Sequence, residues 1–313
     1  MARSCIRRLL RPAVLAAVAV AATVVEVAAV AAADVVVVEV SPNRFGLGWR
    51  SELAAGIFTH LDEIDIVEVI ADDYFDDVKK QRALATLASQ VAVTLHGIGI
   101  GPASVSTAEP ARIDNLARLI DRIRPDSWSE HLAWVRAGGR EIGHLVAPCR
   151  NASTVDGTLA NLHRMTRVVG SAPVMENIAT LINPPASPMS EDAWLSKVLQ
   201  GAPSVGLVLD LHNVHANSSN FGFDATAFLA GIPLDRVKTI HLAGGRMWQG
   251  RLLDDHLHDV PPPVFQLLEQ VAARTTQPLT VLIERDGEYP DFELLLAQIR
   301  EARRAVARGR ATA

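Results

Sequence analysis

Acids, amides and imidazoles recur at one position in this chain, the end of a short apolar run. Glu68 stands at the end of one such run, His96 of the next, then Glu130 with His131, Glu176 with Asn177, Asp210, His241 and Glu284. Taken singly, each has a plain structural explanation. A lone histidine such as His96 is commonly a hydrogen-bonded core residue, and Glu284 has Arg285 beside it for a salt bridge. Taken together, the groups would repel one another or stay unsatisfied in one buried place unless a cation joined them. Mixed imidazole and carboxylate donors without cysteine suit iron, manganese or zinc, and a carboxylate such as Glu176 can bridge two ions.

The elements that must position these groups follow from the spacing of apolar residues. Short β-like runs at 46–49, 64–69, 91–96, 127–131, 174–176, 206–210, 238–241 and 279–284 alternate with stretches of helical period. Ile113, Leu116, Ala117, Ile120 and Ile123 mark one buried helical face closed by Pro125. Leu159, Leu162, Met165 and Val169 mark another, ended by Gly170. Ser190 is placed to cap a helix with Gly201 just past its end, and Leu294, Leu295, Ile299 and Ala302 mark the last helix. Eight strands with intervening helices in 313 residues predict an α/β fold, a single-domain (β/α)₈ TIM barrel. In that fold the C-terminal strand ends share one face, where active sites are built.

Composition narrows the function classes. Apolar residues at 49% and charged residues at 21% are ordinary for a globular domain. A net charge of −5 with no basic stripe argues against a nucleic-acid partner. Two cysteines, Cys5 and Cys149, make no disulfide framework, and Cys149 has no specific base beside it in sequence. Residues 1–43 read as an Ala/Val-rich extension and 44–313 as the catalytic domain. Arg3, Arg7, Arg8 and Arg11 ahead of an apolar run resemble a signal peptide, though Glu26 interrupts it and a start codon placed too far upstream is the other explanation. The reading is a cytoplasmic protein, with export or membrane anchoring through residues 1–33 as the alternative. His60 and His163 are expected in helices as surface or packing residues, and His144, His215 and His258 in loops. Trp49, Trp128 and Trp134 are expected in the core or along a cavity.

Several strings are specific enough to carry a resemblance. They are Gly46-Leu47-Gly48-Trp49-Arg50, Leu95-His96-Gly97-Ile98-Gly99, Ser129-Glu130-His131-Leu132-Ala133-Trp134, Glu176-Asn177, Leu209-Asp210-Leu211-His212-Asn213-Val214, Ile240-His241-Leu242-Ala243-Gly244, Leu253-Asp254-Asp255-His256 and Leu282-Ile283-Glu284. In this order, from about Arg44 to Arg303, the chain resembles the multinuclear non-haem iron-dependent oxidative enzymes, whose best-known member acts in methanobactin biosynthesis. The resemblance implies a TIM barrel holding two or three irons of mixed Fe(II)/Fe(III) valence, with O₂ as co-substrate. It implies a ribosomally made precursor peptide as substrate, modified at cysteine, and a small partner protein that presents the peptide's leader. By the same resemblance His96, His131 and Glu176 hold one iron, and Glu176, Asp210, His241 and Glu284 a second. Asn213, Asp254 and His256 hold a third, and Glu130 orients a neighbouring histidine. His131, Glu176 and Asp210 are the residues expected to carry catalysis. Departures from the pattern fall at Ile70, His212, Phe221 and Gly245. Two rival readings remain: a divalent-metal TIM-barrel hydrolase or sugar isomerase, and a non-catalytic metal-binding protein.

Overall fold

A computed structural model describes residues 43–312, so the extension at 1–42 and its signal-like reading lie outside the described residues. Eight parallel strands close into a barrel: β1 (Arg44–Gly48), β2 (Ile66–Ile70), β3 (Ala92–Gly97), β4 (Ser127–His131), β7 (Val174–Glu176), β8 (Gly206–Asp210), β9 (Val237–Leu242) and β12 (Thr280–Ile283). Their order round the barrel follows the chain, with β12 returning to β1. Each expected run is a barrel strand, its limits shifted by two residues at most. The strands are apolar along their bodies because both faces are covered, as in Val67, Val69, Leu95, Leu207 and Leu209, all fully buried.

Helices alternate with these strands: α1 (Ala54–Thr59), α2 (Val78–Ala88), α3 (Pro110–Ile123), α4 (Ala152–Val169), α5 (Glu191–Gly201), α6 (Leu211–Phe221), α7 (Ala225–Gly231), α8 (Pro262–Ala273) and α9 (Phe292–Ala311). Helix α3 starts with Pro110 in its first turn, where a missing N–H costs nothing, and buries Ile113, Leu116, Leu119 and Ile123. Helix α4 opens on a capping box between Asn151 and Thr154 and ends on Gly170 at φ 83°, a left-handed position that glycine takes without strain. Two helical expectations are corrected. Gly201 is the last residue of α5 rather than the residue beyond it. Leu294 is exposed while Leu296 packs inward, because the inward stripe of α9 runs through Leu295, Leu296, Ile299 and Ala302.

Two antiparallel hairpins were not foreseen. One follows β4 and pairs β5 (Trp134–Ala137) with β6 (Arg140–Val146). The other follows β9 and pairs β10 (Gly245–Trp248) with β11 (Arg251–Asp254). Their turns fall at Gly138-Gly139 and Gln249-Gly250, with positive φ at all four residues. Turns of that kind match the twist of paired strands, so both dipeptides were readable signals. The hairpins also correct His144, which lies on β6, while His215 lies within α6 rather than in a loop. Among the described residues no helix is long and apolar enough to cross a membrane.

Candidate metal centre

Register places the polar groups beside one another. His131 on β4 is level with Glu176 on β7, and Asp210 on β8 is level with His241 on β9. Glu284 continues the ladder just past β12, its N–H donating to the Leu242 carbonyl at 2.9 Å. His96, Glu176, Asp210 and His241 are no more than 2% exposed, His131 8% and Glu284 6%. Among the described residues, two groups offer one ligand atom per side chain with all those atoms within 4.8 Å of one another: His96, His131 and Glu176, and Glu176, Asp210, His241 and Glu284. Glu176 belongs to both. Its Oε2 lies 3.3 Å from His96 Nε2 and 3.5 Å from His131 Nε2, while its Oε1 lies 3.4 Å from His241 Nδ1.

Each imidazole is turned by a partner on its far side. His96 Nδ1 is 2.7 Å from Ser129 Oγ, and His131 Nδ1 is 3.2 Å from the Gly97 carbonyl, so both rings present Nε2 to Glu176. His241 is reversed, because Glu68 Oε1 lies 3.1 Å from its Nε2 and leaves Nδ1 for Glu176 and Glu284. Glu68 stands two residues before the end of β2 rather than at it, one layer deeper in the barrel. Glu130 holds the main chain instead of a ring: its carboxylate accepts from the N–H groups of His131 and Ile100, and stands 3.8 Å from His131 Nδ1.

Asp210 does two things at once. Its Oδ1 caps α6 by accepting from the Asn213 N–H at 2.6 Å, and its Oδ2 is left free of any hydrogen bond. Asn177 locks this corner, donating through Nδ2 to the Asp210 carbonyl at 3.0 Å and accepting from the Asp210 N–H at 2.9 Å. Asn213 spends its own Nδ2 on the Asn177 carbonyl, leaving Oδ1 unpartnered.

Asp254 ends the β10–β11 hairpin and His256 follows it, so the second hairpin carries both groups to the mouth. His256 Nε2 lies 2.9 Å from Asp254 Oδ1 and 3.8 Å from Glu284 Oε2. The third sequence-derived set, Asn213, Asp254 and His256, therefore adjoins the second group through Glu284. His212 reaches Asp254 Oδ1 through Nδ1 at 2.9 Å. A Cβ on Gly245 would collide with the Leu253 carbonyl oxygen and stand 2.7 Å from His212 Cε1, so the hairpin backbone and His212 together leave no room for a side chain at 245. His60, exposed His144, exposed His163, His215 and exposed His258 belong to none of these groups. His60 stacks on Phe292 and His258 pairs with Asp255.

The electrostatics are those of a site short of positive charge. Burial pushes the Asp210 carboxyl well above the usual range, and Asp254 and Glu176 push it further. Burial opposes charge on His131, yet Glu176 and Glu130 outweigh it and lift its pKa to about 9. His241 is raised in the same way by Glu284 and Glu68 against burial, while burial and its neighbours His131 and His241 hold His96 well down. Burial also opposes the Asp254 carboxylate, but His256 and His212 bring its pKa down to about 2. The buried side-chain atoms without a well-aligned hydrogen bond include Glu176 Oε2, Asp210 Oδ2, Asn213 Oδ1, His241 Nδ1, His256 Nε2 and Glu284 Oε2. Orphaned buried groups of this kind each carry a desolvation cost of about 1–3 kcal/mol, more when charged. Oxygen and imidazole donors in these numbers fit divalent or trivalent iron, and equally manganese or zinc.

A family model described as "RiPP precursor modification enzyme MbnB/TglH/ChrH" matches residues 44–307, nearly the whole described barrel. This chain belongs to that family. By that description its members modify ribosomally made precursor peptides, which implies a peptide substrate. A UPF0276 protein of Rhizorhabdus wittichii is 35% identical over 270 residues, covering 84% of this chain and 95% of its own length. One from Acaryochloris marina is 32% identical over 260 residues, covering 82% and 92%. Solved structures repeat the barrel at low identity. An L-ribulose 3-epimerase matches with TM-score 0.52 and 14% identity over 86% of this chain and 95% of its own. A D-allulose 3-epimerase from Methylomonas sp. matches with TM-score 0.52 and 14% identity over 84% and 97%. At these identities the likeness is one of fold.

Removing the support behind His241 gives a direct check on this geometry. Glu68→Ala is expected to weaken metal-ion binding by roughly 10–100-fold, since the ring loses the acceptor that keeps Nδ1 facing inward. Equilibrium metal titration reads it, and an unchanged affinity would show that Glu68 does not orient the ring.

Proposed function

We propose that this chain is an iron- and O₂-dependent oxidoreductase that modifies a residue, cysteine, of a ribosomally synthesised precursor peptide. His96, His131 and Glu176 would hold one iron, Glu176, Asp210, His241 and Glu284 a second, and Asn213, Asp254 and His256 a third at the outer edge. Bound iron of mixed valence supplies electrons to O₂ and an affinity for thiolate. The observation that carries this reading is the convergence of buried donor atoms, several of them without a hydrogen bond, from separate strand ends on shared volumes. Family membership supports the peptide substrate.

The chain's own residues do the rest. Glu176 couples the two inner sets by presenting a different oxygen to each. Burial of the inner donors keeps bulk water away from them, so charge there is screened less than at the surface. His131, Glu176 and Asp210 carry the reaction through the ions they would hold. A cavity of about 650 Å³ opens beside the mouth between the β5–β6 hairpin and the loops after β3 and β7. Trp134, Leu145, Leu181 and Ile182 line it, which is room for an apolar stretch of peptide. A small leader-binding protein would deliver that peptide.

Anaerobic purification, iron analysis and Mössbauer spectroscopy, followed by exposure to air with a cysteine-containing peptide encoded beside the gene, test the proposal. Peptide mass should change only with both iron and O₂ present. Sugar isomerisation or ester hydrolysis by a zinc- or manganese-loaded chain under strict anaerobiosis would put a divalent-metal hydrolase or isomerase in its place. Failure to retain any metal would overturn the oxidase reading as a whole.

A further inference from the structure

The outer group is held differently from the inner ones. His256 lies beyond the barrel wall with φ 55°, a left-handed conformation that non-glycine residues avoid and keep only where their surroundings impose it. Asp286, three residues past the end of β12, imposes it twice. Its N–H donates to the His256 carbonyl at 2.9 Å, and its Oδ2 lies 3.2 Å from His256 Nδ1. Arg50, two residues past β1, pairs with the other oxygen of Asp286 and donates to the Trp49 carbonyl at 2.8 Å. On the far side, Asp254 Oδ1 meets both His256 Nε2 and His212 Nδ1 at 2.9 Å. Arg50, Asp286, His256, Asp254 and His212 thus form a run of alternating acids and bases from the end of β1 to the first turn of α6.

We propose that Asp286, held by Arg50, is a positioning residue for the outer cation: it fixes the proton of His256 on Nδ1 and turns Nε2 toward Asp254 and Glu284. This rests on the outer-iron reading above. An imidazole that gives its Nδ1–H to a carboxylate keeps the Nε2 lone pair available and becomes a better donor. His256 Nε2 is among the buried atoms without a well-aligned hydrogen bond, which is where such a lone pair would be used. Asp286 is not itself offered as a ligand, since Arg50 takes one oxygen and His256 the other. A purely structural Arg50–Asp286 pair, with the Asp286 side chain 41% exposed, would instead leave metal content untouched.

The test is an anaerobic titration of the metal-free full chain with ferrous ion, comparing wild type, Asp286→Asn and Asp286→Leu, with iron per chain and Mössbauer spectra as readouts. Wild type is expected to take up three ions. Asp286→Leu should weaken the last-bound one by roughly 10–100-fold while the inner two keep their affinity and spectra. Asp286→Asn, which retains an acceptor for Nδ1, should fall between. Retention of inner iron by Asp286→Leu shows that the barrel is folded. If that variant does not fold, Asp286→Asn and Arg50→Gln carry the comparison, with a smaller selective loss expected. Equal outer affinity in wild type and variants, or an equal fall at all sites, overturns the inference. A wild-type chain that takes up only two ions removes the outer site itself and the inference with it, an outcome visible before any variant is made.

Discussion

A Glu176→Ala chain is expected to lose the first iron outright and to hold the second weakly, and its peptide-modifying activity should fall to background. The asymmetry follows from the shared carboxylate. Without Glu176 the first set is reduced to His96 and His131, while Asp210, His241 and Glu284 still surround the second position. His131→Ala is the matching control. It removes one ligand of the first set and none of the others, so iron content should drop by one with the affinity of the remaining ions unchanged. Loss of a ligand should exceed the roughly 10–100-fold effect of losing an outer partner. Iron per chain, measured on both variants after desalting, decides the matter. Equal losses from the two variants would mean that Glu176 does not bridge, and full retention by both would move the metal elsewhere. Neither substitution should unfold the barrel, because the fully buried strand residues that hold it together, such as Val67, Leu95 and Leu209, are untouched.

Metal removal should cost the fold more than any single surface substitution. Glu68, Glu176, Asp210 and Glu284 are buried carboxylates facing the buried rings of His96, His131 and His241, and several of their atoms lack hydrogen bonds. Uncompensated burial of a charge costs several kcal/mol. A ligand that binds only the folded chain stabilises it by about 2.7 kcal/mol when present at about 100 times its dissociation constant. That corresponds to roughly 4–5 °C in melting temperature for each site filled in a domain of this size. Anaerobic calorimetry of the metal-free chain with and without ferrous ion measures it. Glu176→Ala should show a clearly smaller rise than wild type. An identical rise in both, or none in wild type, would separate the stabilisation from the cluster described here.

The pattern behind the site was readable because it is local. A short apolar run followed by an acid or imidazole repeats along the chain, and a barrel of consecutive βα units gathers those ends without further instruction. His96, His131, Glu176, Asp210, His241 and Glu284 were all found that way. Their supports were not. Glu68 and His241 are 173 residues apart, and nothing near either predicts the pairing, which exists only because the barrel closes. Ser129 behind His96 and Asp286 behind His256 were missed for the same reason. The hairpins were missed for a different one: Gly138-Gly139 and Gln249-Gly250 signal turns, but the flanking residues 134–146 and 245–254 are too polar to stand out as strands.

Residue type, period and order along the chain were sufficient by themselves for the eight-stranded architecture and for which side chains end up at its mouth, because strand ends follow directly from hydrophobic pattern. Tertiary structure alone decided which atom of each side chain faces inward. His96 and His131 offer Nε2 because Ser129 and the Gly97 carbonyl occupy Nδ1, whereas His241 offers Nδ1 because Glu68 occupies Nε2. An imidazole has two chemically similar nitrogens, and the choice between them lies with whatever the fold brings to its far side.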